Sequence, residues 1–250
     1  MVQITIIRIE GYGPWTLTLG SDREHELQIL QSKLYGDLQM LLSKKDALVF
    51  FNRFDEMFAV TNGISTGEHI EILKRLSTAY ELDISMSIGR GNTPYEAHLD
   101  AHRARNNGAT DTQFKVYGID ANNGDDFVQI MHVDVDGSTS KVSSKLSPYE
   151  ISSLIAKLHA KLSEAFMVKG ALTFFLGGDN FMVISNGVTR DEANDVLGSV
   201  TYDMNIKLKC GIGRARTARE AAKLATKALD AIRDMRKSGK IEQVFELSCI

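Results

Sequence analysis

The sequence predicts an α+β fold of two tandem units, each an antiparallel-containing sheet backed by helices. Three observations predict it: a motif set repeated at one period, apolar runs of strand length alternating with helical stretches, and a glycine-tipped hairpin. The repeat is the strongest of these. Phe51-Asn52-Arg53-Phe54-Asp55-Glu56 leads to Thr61-Asn62-Gly63, and Phe175-Leu176-Gly177-Gly178-Asp179-Asn180 leads to Ser185-Asn186-Gly187. Asp55 and Asp179 are 124 residues apart, as are the glycines of Ile88-Gly89-Arg90 and Ile212-Gly213-Arg214. The strand openings Arg8-Ile9-Glu10-Gly11 and Asp134-Val135-Asp136-Gly137 are 126 apart. A constant period with small slippage marks a duplicated unit. The polar stretch holding Asn122-Asn123-Gly124 separates the copies, giving units 1–122 and 123–250.

Each copy reads strand, helix, strand, turn, strand, helix, strand, helix. Residues 127–135 are rich in strand formers. Helix starts carry the capping-box pattern at Ser21/Glu24, Ser65/Glu68, Thr93/Glu96, Ser147/Glu150, Thr189/Glu192 and Thr217/Glu220. Pro94 and Pro148 take first helical positions, where a missing N–H costs little. The turn at 177–179 joins two apolar runs, 171–176 and 181–184, and so tips a hairpin. This order gives a split β-α-β unit, ferredoxin-like in outline, with its helices expected on one face of the sheet.

Composition narrows the function classes. The 250 residues are 43% hydrophobic and 24% charged, ordinary for a globular protein. A net charge of −3 argues against a general nucleic-acid coat. No run reaches the roughly 18 apolar residues that a membrane span requires, and the strand-like start lacks a signal-peptide pattern. Cys210 and Cys249 are too few for a disulfide framework or a cysteine zinc site. A reducing cytoplasm is the expected location.

The chemistry is expected in the second copy. Asp134 ends its first strand, Asp136 follows two residues on, and Asp179 tips the hairpin. In a split β-α-β sheet these strands are neighbours. Singly, each acid reads equally as an ordinary turn or strand-end residue. Together, carboxylates about 4 Å apart repel by roughly 4 kcal/mol at an effective dielectric near 20. Such a pair needs a cation or a bound proton; a hard divalent ion, most simply Mg²⁺, answers that need and also bridges phosphates. Gly177 and Gly178 would let a phosphate or metal approach the backbone closely. The loop from Gly137 through Ser138 and Thr139 to Ser147 holds two lysines, six hydroxyl side chains and no acid. It reads as a phosphate cradle feeding a helix, or as a polar surface loop.

These residues resemble known enzymes. Asp134-Val135-Asp136-Gly137 looks like the opening strand of class III nucleotide cyclases, and Gly177-Gly178-Asp179-Asn180-Phe181 resembles the hairpin of diguanylate cyclases. The tandem copies, the Arg53-Phe54-Asp55 and Thr61-Asn62-Gly63 segments, the hairpin and Gly211-Ile212-Gly213 together resemble archaeal-type GTP cyclohydrolase III over essentially the full length. The resemblance implies a cyclase-like, palm-like fold and Mg²⁺-dependent hydrolysis of the guanine imidazole ring of GTP. The product would be 2-amino-5-formylamino-6-(5-phospho-D-ribosylamino)pyrimidin-4(3H)-one, with inorganic phosphate released, feeding flavin and deazaflavin synthesis. It implies Asp134, Asp179 and the Val135 carbonyl as metal ligands, with Asp136 a further candidate. It also implies a homo-oligomer, a tetramer being one form the family suggests, and a monovalent cation such as K⁺, for which no residue pattern is visible. Partners other than GTP, whether nucleic acid or membrane, are not expected.

Departures from the cyclase pattern keep alternatives open. Asn180 stands where a diguanylate cyclase carries Glu, and Arg8 stands where the second copy has Asp134. The first copy is therefore read as supporting or base-binding. Asp55 is either a structural acid of its hairpin or a contact to guanine. Arg233 on the last helix is the match for a phosphate-binding lysine, or one of several cations favoured at a helix end. His98 and His102 read as an exposed pair in preference to a zinc site. His132, in the strand before Asp134, is either a general base or a residue at a buried or opposite-edge position. Arg90 and Arg214, being duplicated, point to the fold. The competing functions are a nucleotidyl or diguanylate cyclase and an inactive GTP-sensing module.

Overall fold

The computed structural model describes residues 1–111, 113–118, 126–135 and 146–250. The chain divides into two compact units. One comprises Val2–Gly91 and Glu96–Asp126, and the other Met1, Asn92–Tyr95 and Phe127–Ile250.

The first unit runs β1 (Val2–Ile9), α1 (Tyr12–Thr18), α2 (Glu24–Ser43), β2 (Leu48–Arg53), β3 (Glu56–Val60), α3 (Thr66–Ala79), β4 (Ile84–Gly91), α4 (Pro94–Asn106), β5 (Ala109–Asp111) and β6 (Val116–Tyr117). Its sheet has the order β2-β3-β1-β4-β6-β5. The second unit runs β7 (Val128–Val135), α5 (Pro148–Met167), β8 (Leu172–Gly177), β9 (Asn180–Ile184), α6 (Arg190–Met204), β10 (Leu208–Ala215), α7 (Ala218–Lys237) and β11 (Val244–Ser248), with sheet order β11-β10-β7-β9-β8. Four strands in each unit keep the predicted split β-α-β order. The sequence reading did not include β5, β6 and β11, which extend the sheets; β6 and β11 join β4 and β10 in parallel.

Strand alternation sends Met131, Val133 and Val135 into a core with Leu158, Leu162 and Phe166 of α5 and Val196, Leu197 and Val200 of α6. The opposite face of β10 presents Gly211 and Gly213. A Cβ on Gly213 would lie 2.0 Å from the Ala221 carbonyl oxygen, and one on Gly211 2.0 Å from that of Ala225. Helix α7 therefore lies directly on the backbone of β10, on the face away from α5 and α6. Gly89 repeats this, with Ala101 N at 2.0 Å and Ala97 O at 2.4 Å from its Cβ position. The expectation of helices on one face alone is thus corrected. One helix, α4 in the first unit and α7 in the second, covers the second face, because side-chain-free strand positions opposite alanines allow backbone contact.

The repeated Thr61-Asn62-Gly63 and Ser185-Asn186-Gly187 motifs are hydrogen-bond clips. Gln129 Nε2 donates to the Ser185 and Val188 carbonyls at 3.0 and 2.8 Å, while its backbone N–H donates to Asn186 Oδ1 at 3.0 Å. Gln3 does the same with Thr61, Ile64 and Asn62. Both glutamines are buried, so each clip satisfies groups that water does not reach. Arg214 Nε donates to Gln129 Oε1 at 2.5 Å, and Arg90 Nη1 to Gln3 Oε1 at 3.4 Å. The duplicated arginines belong to the fold. Capping boxes form at Ser65, Ser147 and Thr189. Ser21 does not cap: α2 begins at Glu24, behind Arg23.

Candidate active site

The C-terminal end of β7 is the centre of the site. Antiparallel register sets Asp134 opposite Asn180 of β9 on one side and opposite Lys209 of β10 on the other. Cross-strand partners share a face, so all three side chains belong to the α7 side of the sheet. Asp134 is only 5% exposed. Its Oδ2 accepts from Lys209 Nζ at 3.0 Å and from Arg233 Nη2 of α7 at 2.9 Å. Arg233 also donates from Nη1 to Asp230 Oδ1 at 2.5 Å. Burial works against the Arg233 charge, but Asp134 and Asp230 more than offset this and hold its pKa up.

Asp179 sits in the two-residue turn between β8 and β9. Gly177 and Gly178 have φ of +114° and +62°, backbone that side-chain-bearing residues adopt at a cost. The glycine pair thus shapes the tip. Burial raises the Asp179 carboxyl above its ordinary range, and the charge of Asp134 raises it further, against Lys209 and Arg233. The two acids that the sequence picked out lie close enough to feel each other.

A polar relay supports the tip. Asn180 Nδ2 donates to Asp179 Oδ1 at 3.1 Å, His132 Nε2 lies 2.9 Å from Asn180 Oδ1, and His132 Nδ1 lies 3.1 Å from Thr226 Oγ1 of α7. A carboxylate only accepts, so the Asn180 amide turns its nitrogen to Asp179 and its oxygen to His132. His132 then carries its proton on Nε2, and a neutral ring accepts from Thr226 at Nδ1. His132 shares the face of Asp134, as alternation requires of strand residues two apart.

Beside the tip lies a cavity of about 360 Å³ walled by Ile151, Ile155, Ala156 and His159 of α5 and by Phe175 and Gly178 of the hairpin. The His159 ring stacks on Phe181 at 5.8 Å and 20°. A mostly apolar slot with an aromatic wall suits a flat heterocycle.

Val135 is buried, its side chain in the α5/α6 core. Asp136, Gly137, Ser138 and Thr139 lie outside the described residues, as does the rest of the expected cradle up to residue 145; its last residue, Ser147, caps α5. Asp55 belongs to the other unit, where its carboxylate pairs with Arg53 Nε at 3.2 Å and its carbonyl accepts from Ile9 N at 2.9 Å. Arg8 pairs with Glu56, across the same register that joins Asp134 to Asn180. Burial would raise the Glu56 carboxyl, but Arg8 prevails and holds it low. The first copy thus fills this position with its own ion pair. His98 is half-buried and stacks on Phe58 at 5.4 Å, while His102 is exposed, so they are not the exposed pair expected.

Sequence reasoning missed Lys209, and it left His132 and Asn180 unconnected. The signal for Lys209 was a charge between the apolar residues Leu208 and Cys210 at the start of β10. Among the described residues no three His, Cys, Asp or Glu side chains gather as a metal cage. Two mutually repelling carboxylates at one edge nonetheless fit Mg²⁺, which uses one or two protein carboxylates and fills its remaining positions with water and phosphate oxygens. Among the described residues no helix is long and apolar enough to cross a membrane.

A family model described as GTP cyclohydrolase III matches residues 1–245. A GTP cyclohydrolase III of Methanothermobacter thermautotrophicus is 40% identical over 236 residues, covering 93% of this chain and 95% of that protein. One from Methanocaldococcus jannaschii is 38% identical, covering 93% of this chain and 88% of that protein. A solved bacterial light-regulated adenylyl cyclase spans 94% of this chain and 83% of its own at 10% identity, but with a TM-score of 0.39 it carries no weight.

Proposed function

Because the chain belongs to the GTP cyclohydrolase III family, we propose that its second unit opens the imidazole ring of GTP and releases inorganic phosphate. Function as a GTP cyclohydrolase follows from full-length similarity to enzymes of that name. The finer reading is supported by one arrangement: Asp134, which Lys209 and Arg233 contact, lies near enough to raise the Asp179 carboxyl, and an apolar slot lies beside the hairpin tip that carries Asp179.

Each group then has a task. The slot between α5 and the hairpin takes the purine, with His159 and Phe175 at its wall. Asp134 and Asp179 would hold Mg²⁺, which supplies charge neutralisation for a triphosphate and polarises oxygen ligands. Arg233 faces the same edge and contacts phosphate. The relay through Asn180, His132 and Thr226 keeps Asp179 oriented. In the ring-opening step, water adds to C8 and the C8–N9 bond breaks. C8 remains on N7 as a formyl group, and N9 takes a proton. Each phosphoanhydride cleaved consumes a further water. Asn180 is engaged at both ends of its amide and offers no carboxylate, which speaks against a cyclase reaction.

The test is to incubate the protein with GTP and Mg²⁺ and identify products by mass. A formylated, ring-opened monophosphate with inorganic phosphate supports the proposal. A cyclic nucleotide with intact guanine, or bound GTP without turnover, overturns it.

A further inference from the structure

Resting on that reading of the site, we propose that Lys209 is a triphosphate-binding residue, held on Asp134 until nucleotide and metal arrive and then transferred to phosphate oxygens. The geometry carries this. Lys209 and Arg233 both donate to a single oxygen, Oδ2 of Asp134. An oxygen that faces two cations cannot also face a divalent metal without strong like-charge repulsion. A metal bound through Oδ2 therefore displaces both cations from it, and one bound through the neighbouring Oδ1 would still be repelled by them.

Their destination follows from place and charge. Lys209 lies directly across from Asp134 in the strand register, on the α7 face and at the end of β7. Its residue is only 7% exposed, so its charge needs an anion nearby. A four-carbon stem lets Nζ shift by a few ångströms while the strand stays fixed. Asp134, Asp179, Asp230, Lys209 and Arg233 together sum to minus one in formal charge. A divalent ion alone would leave the cluster at plus one. A polyphosphate restores balance and gives both displaced cations charge-assisted hydrogen bonds. Ligand and metal are thereby coupled: each removes what obstructs the other.

Isothermal titration of the full chain with inorganic tripolyphosphate and with guanosine, both with Mg²⁺, tests this. Lys209→Met is expected to weaken tripolyphosphate binding by about 10- to 100-fold, the loss of one charge-assisted hydrogen bond, and to leave guanosine binding within about 2-fold. Unchanged tripolyphosphate binding overturns the proposal. So does parallel loss of both ligands with a lowered unfolding midpoint, which marks a structural role, or tighter Mg²⁺ binding with intact tripolyphosphate binding, which marks a simple guard of Asp134. Should Lys209→Met fail to fold, Asp134→Asn with and without Lys209→Met is measured in EDTA. Asp134→Asn is expected to bind tripolyphosphate more tightly than wild type, and adding Lys209→Met to abolish the gain. Equal affinities overturn the proposal. A wild-type chain that binds neither tripolyphosphate nor guanosine refutes the GTP reading itself.

Discussion

Removing the Asp134 carboxylate is expected to separate stability from function sharply. In Asp134→Ala, Lys209 loses a partner at 3.0 Å and Arg233 one at 2.9 Å. Lys209 is buried, and removing one member of a buried pair costs about 3–5 kcal/mol. The Arg233 side chain is 47% exposed, so solvent screens its loss to about 0.5 kcal/mol. The expected cost is about 3 kcal/mol, since Lys209 at a strand end can relax toward water. Asp179→Ala should behave oppositely. It removes a partly exposed charge that repels Asp134, so stability is unchanged or rises by less than about 1 kcal/mol after screening. Both variants should lose metal-dependent turnover. Urea denaturation without metal, at constant m-value, provides the comparison. The double variant Asp134→Ala/Lys209→Met should recover about 2 kcal/mol relative to Asp134→Ala alone. A cost below about 1 kcal/mol for Asp134→Ala, with no recovery in the double variant, would refute the assignment of a buried ion pair.

Three further outcomes are expected. His132→Phe keeps the ring but cuts the link between Asn180 and Thr226; kcat should fall about 10-fold, with KM within about 2-fold and stability lower by about 1 kcal/mol, as steady-state kinetics and urea melts would show. Gly213→Ala would place a Cβ 2.0 Å from the Ala221 carbonyl and should cost about 3 kcal/mol or more, measured by thermal unfolding. The Glu68 carboxyl is held at about 2 by Lys45 and by the Ser65 backbone N–H, below its ordinary 4.5. A depressed carboxyl stabilises the fold above its unfolded pKa and loses that contribution as pH falls from about 4.5 toward 2. Glu68→Gln should therefore be less stable than wild type near neutrality by about 1 kcal/mol after screening, and the gap should close in urea melts toward pH 2.

The outline of the fold was legible because its signals are local. Strand runs, three verified capping boxes and a glycine-tipped hairpin are properties of short segments, and the 124-residue period compared those segments with each other. The candidate acids were legible for the same reason, since one ends a strand and the other sits in a turn. The α7 face was not. Gly211-Ile212-Gly213 and the alanines at 221 and 225 record a backbone-to-backbone contact, but the pattern becomes readable only once strand and helix are paired. Ser21/Glu24 shows the reverse error: a matching local pattern where the helix begins three residues later.

Sequence alone therefore determined the duplication, the order of the four split β-α-β strands in each unit, and the residue types available for chemistry, because covalent order and short-range preferences settle these. Tertiary structure decided which charges face each other. Lys209 meets Asp134 because antiparallel register places residues 75 positions apart side by side, and Arg233 joins them because two glycines let α7 lie on the sheet. Electrostatic energy depends on distance in space, and that distance exists only after the chain has folded.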